Sequence, residues 1–276
     1  VAWMSQQPTA KFTGYAYELY QAACKPKLSL PQRLTYDRQF EGLLAQAKAD
    51  RGGVTENLWC ALDTSGSMGA TVVPGVAAVD ICLGLGLYFS ALNEGAFKNH
   101  VVMFDSTSRV LELSGSFTER VAQLKKTRVA WGSTNFQSVI DLICQVRKQK
   151  PNVPVSDFPT TLLVVSDMQF NPVGGNTETN YQAAMKKLAS VGLPKIKIVW
   201  WWVTGRAGDF PSTINDAGVT MIGGFDGSIL ELLLGQQEQQ KTPEQAKQPQ
   251  QAQPGPYDQM LTALDQELLR QVQISD

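Results

Sequence analysis

From residue 55 onward the chain alternates short, almost wholly apolar runs with longer stretches of helical periodicity. The runs at 57–62 (NLWCAL), 100–104 (HVVMF), 160–165 (TTLLVV), 196–203 (IKIVWWWV) and 219–222 (VTMI) read as strands, and 109–113 alternates like a half-exposed one. Between them, 75–92, 117–126, 134–148, 177–191 and 226–234 read as helices. Strands that are apolar on both faces and separated by helices predict a doubly wound, mostly parallel six-stranded α/β sheet with helices on both sides.

The two ends differ from this middle. Residues 1–50 read as a helical extension: Phe12, Tyr15, Ala16, Leu19, Tyr20 and Ala23 recur at helical spacing, as do Tyr36, Phe40, Leu43, Leu44 and Ala47. Pro26 and Pro31 separate the two stretches. The aromatic stripe is expected to pack. Residues 236–256 (QQEQQKTPEQAKQPQQAQPGP) have too little apolar surface to offset chain entropy, which predicts a disordered linker. Beyond it, Tyr257, Leu261, Leu264, Leu268 and Val272 mark an amphipathic helix over 257–273, which reads equally as a helix that docks on a partner, a neighbouring subunit or the body of the protein and as a weakly ordered tail. The α/β domain itself is expected over 55–235.

The charges balance, with 24 Lys and Arg against 25 Asp and Glu in 276 residues, so bulk electrostatics provide no drive toward nucleic acid. No apolar run approaches the roughly 18 residues of a membrane helix, and residues 1–50 lack the charged and apolar regions of a secretion signal, so an intracellular protein is expected. Four cysteines without a CxxC pair point to a reduced, cytoplasmic setting. The single histidine, His100, excludes multi-histidine metal sites, and it excludes Ser-His-Asp and Cys-His chemistry unless it is itself the base.

Three loops leave the C-terminal ends of expected strands, the edge where open α/β sheets bind ligands. They are Asp63-Thr64-Ser65-Gly66-Ser67-Met68, Gly132-Ser133-Thr134-Asn135 and Ser166-Asp167-Met168. Asp63, Ser65 and Ser67 are spaced by two along a turn, so their side chains can converge. A carboxylate and two hydroxyls are hard oxygen donors suited to Mg²⁺, Mn²⁺ or Ca²⁺. Thr134 adds a hydroxyl and Asp167 a second carboxylate. Taken singly, Asp63 to Gly66 reads equally well as a strand-to-helix turn, Thr134 as a helix cap and Asp167 as a turn former.

Together, Asp-x-Ser-x-Ser, a Thr in a Gly-containing loop and an Asp after a buried strand resemble the metal-ion-dependent adhesion site of von Willebrand factor A domains. The resemblance covers about residues 55–235 and places the site at Asp63, Ser65, Ser67, Thr134 and Asp167. It implies direct contact of the hydroxyls with Mg²⁺, one or both aspartates acting through water, and an open position for an Asp or Glu of a protein partner. The loops at 69–74 and 171–177 would form the partner-selecting rim, with Gly69, Asn135, Met168 and Asn171 as its residues. The runs 165–170 (VSDMQF) and 223–228 (GGFDGS) resemble more narrowly a domain-of-unknown-function family of plants, large viruses and phages, related to the A domain of Ro/TROVE ribonucleoproteins. In that family the helical part is usually much longer than 50 residues, which implies that this chain is a piece of a longer protein.

The expected function is therefore a non-enzymatic, metal-dependent protein-binding module. The alternative is an assembly component of a ribonucleoprotein or viral particle with a vestigial site. Enzyme motifs fail on residues: position 65 is Ser where a haloacid-dehalogenase phosphatase has its second Asp, and Ser65-Gly66-Ser67 lacks the first Gly of a nucleophile elbow. Gly84-Leu85-Gly86 lies within an apolar helix, which suits close packing better than dinucleotide binding. Trp200, Trp201 and Trp202 alternate along one strand and are expected in the core. The clusters at Lys125, Lys126 and Arg128 and at Arg147, Lys148 and Lys150 read as helix-end charges, with an RNA contact as the lesser alternative.

Overall fold

The computed structural model describes residues 12–51, 57–94, 96–127, 132–173, 178–204, 211–212 and 216–224. The expected helix at 226–234, the linker and the C-terminal helix lie outside the described residues. Two helices come first, α1 (Ala16–Ala23) and α2 (Leu30–Arg51). Pro26 falls in their connection, and Pro31 sits in the first turn of α2, where an absent N–H costs nothing. The strands are β1 (Leu58–Asp63), β2 (Thr71–Val73), β3 (Val76–Ala77), β4 (His100–Phe104), β5 (Ser108–Glu112), β6 (Thr161–Ser166), β7 (Lys197–Trp202) and β8 (Val219–Gly223). The remaining helices are α3 (Ala78–Leu92), α4 (Phe117–Thr127), α5 (Gln137–Gln149) and α6 (Asn180–Ser190).

Six strands form one sheet in the order β5-β4-β1-β6-β7-β8, parallel except for the antiparallel edge strand β5. Alternate residues of each central strand enter different layers. Leu58, Cys60 and Leu62 of β1, Leu163 and Val165 of β6 and Trp201 of β7 pack with α3 and α4. Trp59 and Ala61, Leu162 and Val164, and Trp200 pack with α5 and α6 on the other side. Trp200 and Trp201 are fully buried, as the period of two requires, and Trp202 is half-buried.

The expected helix at 75–92 is shorter at its start. A hairpin, β2 with β3, occupies 71–77, because β-branched Thr71, Val72 and Val73 favour extended backbone and Pro74-Gly75 turns it. Gly75 has φ +80°, which that turn requires. Likewise α5 starts at Gln137, leaving Thr134 in the preceding loop. Helix α6 starts at Asn180 because Thr179 caps it, accepting the Gln182 N–H at 3.2 Å.

Helix α3 is sandwiched. At Gly86 it meets Leu62 of β1, and at Gly84 it meets the backbone of Tyr17 in α1. Tyr17, Leu19 and Tyr20 of α1 and Phe40 and Ala47 of α2 are buried in the same layer as α3. Phe40 stacks on Phe117 of α4 with ring centroids 4.3 Å apart. The N-terminal stripe is thus a packing face. Among the described residues no two cysteines are joined, and no helix is long and apolar enough to cross a membrane.

Candidate metal centre

Strands β1 and β6 are adjacent, but their outgoing chains turn to opposite faces, one toward α3 and the other toward α6. Such a switch point opens a crevice at the C-terminal ends of the strands. Asp63 closes β1 and Ser166 closes β6, each fully buried. Across the crevice the Ser166 hydroxyl donates to Asp63 Oδ2 at 2.6 Å. The other carboxylate oxygen, Oδ1, accepts the Ser65 N–H at 2.9 Å and so folds the loop back on itself. Burial pushes the Asp63 carboxyl up to about 6; the hydrogen bonds from Ser166 and Ser65 pull against this, and the Asp167 charge adds to the rise.

Three of the expected ligands share one turn. Ser65 Oγ and Ser67 Oγ stand 3.2 Å apart. Ser65 precedes a short 3₁₀ helix, Gly66–Gly69, but its side chain makes no capping bond there. Thr134 is not a cap either. It is buried, lies two residues before the cap of α5, and accepts the Asn171 N–H through its carbonyl at 2.9 Å. Its loop is stitched to the first one by the Gly66 N–H, which donates to the Gly132 carbonyl at 3.1 Å. Asp167 is 2% exposed, and its Oδ1 accepts the Gln169 N–H at 3.3 Å. Asp63, Ser65 and Ser67 are therefore joined by direct contacts, Asp167 by its charge on Asp63, and Thr134 through its loop backbone.

The rim divides. Gly69 is exposed, and Asn135 and Asn171 are half-buried on adjoining loops. Asn135 Nδ2 donates to the Ser106 carbonyl at 3.2 Å, and Asn171 Nδ2 to Ser133 Oγ at 3.3 Å. Met168 is a correction: it is 2% exposed and packs in the core layer that holds Trp200 and Phe170. Its φ of +64° turns the chain sharply after Asp167 and carries the side chain inward. Residues 174–177 of the second rim loop lie outside the described residues.

Two participants escaped the sequence reading. Ser166 orients Asp63, and its Oγ also accepts the Met168 N–H at 3.0 Å. Asp105, 2% exposed after β4, accepts the Asn135 N–H through its carbonyl and the Thr107 N–H and Arg109 Nη2 through its carboxylate. The Asp ending an apolar strand run was the available signal for Asp105. Nothing local marks Ser166 as the partner of a residue 103 positions away.

The residues fit a hard divalent cation. Two buried carboxylates, Asp63 and Asp167, follow the ends of adjacent strands, near enough for the charge of the second to act on the first, and among the described residues no Lys, Arg or His pairs with either. Among those residues no three His, Cys, Asp or Glu side chains group as a metal cage, so any donor set here would draw on hydroxyls, carbonyls or water beside the carboxylates. Ser65, Ser67 and Thr134 are the hydroxyls available.

A six-stranded doubly wound sheet with one antiparallel edge, helices on both faces and polar loops gathered at its switch point is an α/β fold of von Willebrand A type. Within that class the chain belongs to the family described as Domain of unknown function (DUF7788), which matches residues 59–267. It is similar to an uncharacterized protein, L728, of Acanthamoeba polyphaga mimivirus, at 26% identity over 191 residues. That alignment takes in 67% of this chain and 32% of the viral protein, so the chain spans about a third of its relative's length. Among solved structures, the Ro (RSR) protein of Deinococcus radiodurans aligns with a TM-score of 0.49 at 15% identity, over 75% of this chain and 38% of that one. An aerotolerance-related membrane protein of Bacteroides fragilis aligns with a TM-score of 0.42 at 15% identity, over 68% of this chain and 100% of that one.

Proposed function

We propose that this chain is a non-enzymatic protein-binding module whose contact with its partner depends on a divalent cation, Mg²⁺ in the first instance, with Mn²⁺ or Ca²⁺ as substitutes. Asp63, Ser65, Ser67, Thr134 and Asp167 would hold the ion. The observation that carries this reading is the pair of buried carboxylates, Asp63 and Asp167, left without a cationic side chain at a switch-point crevice. Burying one ionised carboxylate without a counter-charge is costly, and burying two side by side is costlier. A bound divalent ion would supply the missing charge and an electrophilic position for a carboxylate oxygen.

The residues divide the remaining work. Asp63, held by Ser166 and by the Ser65 N–H, fixes the turn that presents Ser65 and Ser67. Neutral hydroxyls leave much of the ion's charge uncancelled, so an Asp or Glu of a partner protein is favoured over water. Such a desolvated charge contact is worth about 2 kcal/mol or more in a typical interface. Gly69, Asn135 and Asn171 flank the position from which it would arrive.

Calorimetric titration of Mg²⁺ into the wild-type chain and into Asp63→Ala tests the assignment. Saturable uptake by the wild type and none by Asp63→Ala is expected. Equal uptake by the two would remove the ligand set and the function built on it.

A further inference from the structure

We propose that a basic rim beside the metal loops, built jointly by the N-terminal helices and the end of α4, receives an acidic, extended segment of the partner protein. This deepens the reading above and rests on it, since the segment's first acidic residue is the one placed at the metal centre.

The placement follows from helix directions. Helix α3 begins at the metal-loop end, where the Ala78 N–H donates to the Ala70 carbonyl at 2.9 Å. It ends at the opposite end of the sheet, where Asn93 Nδ2 donates to the carbonyl of Leu58, the first residue of β1. Helix α1 lies antiparallel on it. Tyr17 meets Gly84, and one turn later Gln21 Nε2 donates to the Gly75 carbonyl and to Asp80 Oδ2, both at 2.9 Å. The C-terminal end of α1, followed by Lys25 and Lys27, therefore lies beside the hairpin that leaves the metal loop.

Helix α4 rises to the same place. Near its start, Arg120 Nη1 donates to Asn99 Oδ1 at the far end of the sheet. It ends at Thr127, five residues before Gly132, whose carbonyl accepts the Gly66 N–H. Five residues of extended chain reach at most about 18 Å, which bounds the distance from the α4 terminus to Gly132. Lys125 Nζ donates to the Cys24 carbonyl at 2.8 Å and locks the two helix ends together. Arg33, in the first turns of α2, donates through Nε to the Leu28 carbonyl of the same connection.

Lys25, Lys27, Arg33, Lys125 and Lys126 thus gather at one corner from three elements, and all five are exposed. Among the described residues none of them pairs with a carboxylate. Asp80, near the end of α1, is engaged by Gln21 and by the Ala77 N–H. In a chain of net charge -1 this is a concentrated excess of positive charge, beside the hairpin that leaves a site proposed to take a carboxylate.

An acidic peptide is the occupant favoured by the neighbouring site, since the proposed metal position takes a carboxylate and the rim places positive charge beside it. Single-stranded nucleic acid would instead need aromatic platforms interleaved with the basic residues. The segment would run extended from the metal position onto the rim, with its further carboxylates a few positions from the one at the metal.

The test uses fluorescein-labelled probes of about ten residues, read by anisotropy in Mg²⁺: a poly-glutamate and a Gly/Ser peptide with one central Glu. The protein is the full chain, as wild type, as the Lys25→Glu, Lys27→Glu, Lys126→Glu triple variant, as the corresponding Lys→Gln triple, and as Asp63→Ala. The poly-glutamate Kd should rise about tenfold in the Glu triple and less in the Gln triple, and the gap should close as salt shortens the Debye length. The single-Glu probe should respond to Asp63→Ala and to chelation but not to the lysines. Equal poly-glutamate affinity in wild type and both triples overturns the rim while leaving the metal contact intact. Failure of the wild type to bind poly-glutamate also overturns it, with Mg²⁺ calorimetry on the same samples judging the metal site separately. A uridine oligonucleotide that outcompetes poly-glutamate without Mg²⁺ would assign the rim to nucleic acid instead.

Discussion

Ser166 and Asp63, 103 residues apart in sequence, meet across the switch point through a buried hydrogen bond of 2.6 Å. Each residue terminates a central strand, so the bond joins the ends of β1 and β6 where their chains part to opposite faces. The Ser166 oxygen also accepts the Met168 N–H. One hydroxyl therefore sets the orientation of Asp63 and the turn that leads from Asp167.

Replacing Ser166 with Ala should expose this dependence. A hydrogen bond to a charged, buried acceptor is worth about 2 kcal/mol, and its loss removes from Asp63 Oδ2 the hydroxyl that ties it to β6. Urea denaturation should show a loss of about 2 kcal/mol at neutral pH. Because Ser166 is not among the proposed ligands, Mg²⁺ should still bind, with affinity reduced through the loosened Asp63. A variant as stable as the wild type would show that the bond contributes nothing net.

Much of the fold could be read along the chain, for a physical reason. β1, β6 and β7 are buried on both faces, so nearly every residue in them is apolar and the runs stand out. The Asp63-x-Ser65-x-Ser67 turn was readable for the same local reason, since its spacing lies within one loop. What escaped depended on distant partners. Val76 and Ala77 merge with the apolar helix that follows, and Thr71 to Val73 read as part of a loop until their pairing with β3 is seen. Met168 looked like a loop residue because positive φ, which points it inward, has no reliable sequence mark outside Gly and Asn. The role of Ser166 belongs to the strand order, which local periodicity does not encode.

The two glycines of α3 should respond differently to alanine. At Gly84 an added Cβ would lie 2.5 Å from Tyr17 Cα and 2.7 Å from its N, a clash with backbone that can be relieved only by moving α1. At Gly86 it would meet the side chain of Leu62, which is buried but can change rotamer. Alanine gains about 1 kcal/mol of helix propensity at either site, and overpacking costs about 1 to 3 kcal/mol or more. Gly84→Ala should therefore destabilise by about 2 kcal/mol and sensitise residues 12–30 to limited proteolysis. Gly86→Ala should cost less and leave α1 protected. Equal protease protection in the two variants would show that α1 is not held through Gly84.

Asp63 also makes stability and metal binding depend on pH in opposite senses. Its carboxyl is raised from 3.8 to about 6 by burial in the metal-free chain, so the folded state binds this proton more tightly than the unfolded state. The group favours folding while protonated, and the benefit is lost as pH rises from near 4 through 6. The displacement corresponds to on the order of 3 kcal/mol, all of it gone above about pH 6. Mg²⁺ needs the ionised carboxylate, so below about pH 6 it must displace the proton, and its affinity should fall toward tenfold per pH unit. Thermal melts with EDTA should give a lower Tm at pH 7.5 than at pH 5.5, as far as Asp63 decides it, and Asp63→Asn should flatten that difference. Saturating Mg²⁺ should raise Tm at pH 7.5 and do little at pH 5. If Mg²⁺ stabilises equally at both pH values, the ion does not sit against Asp63.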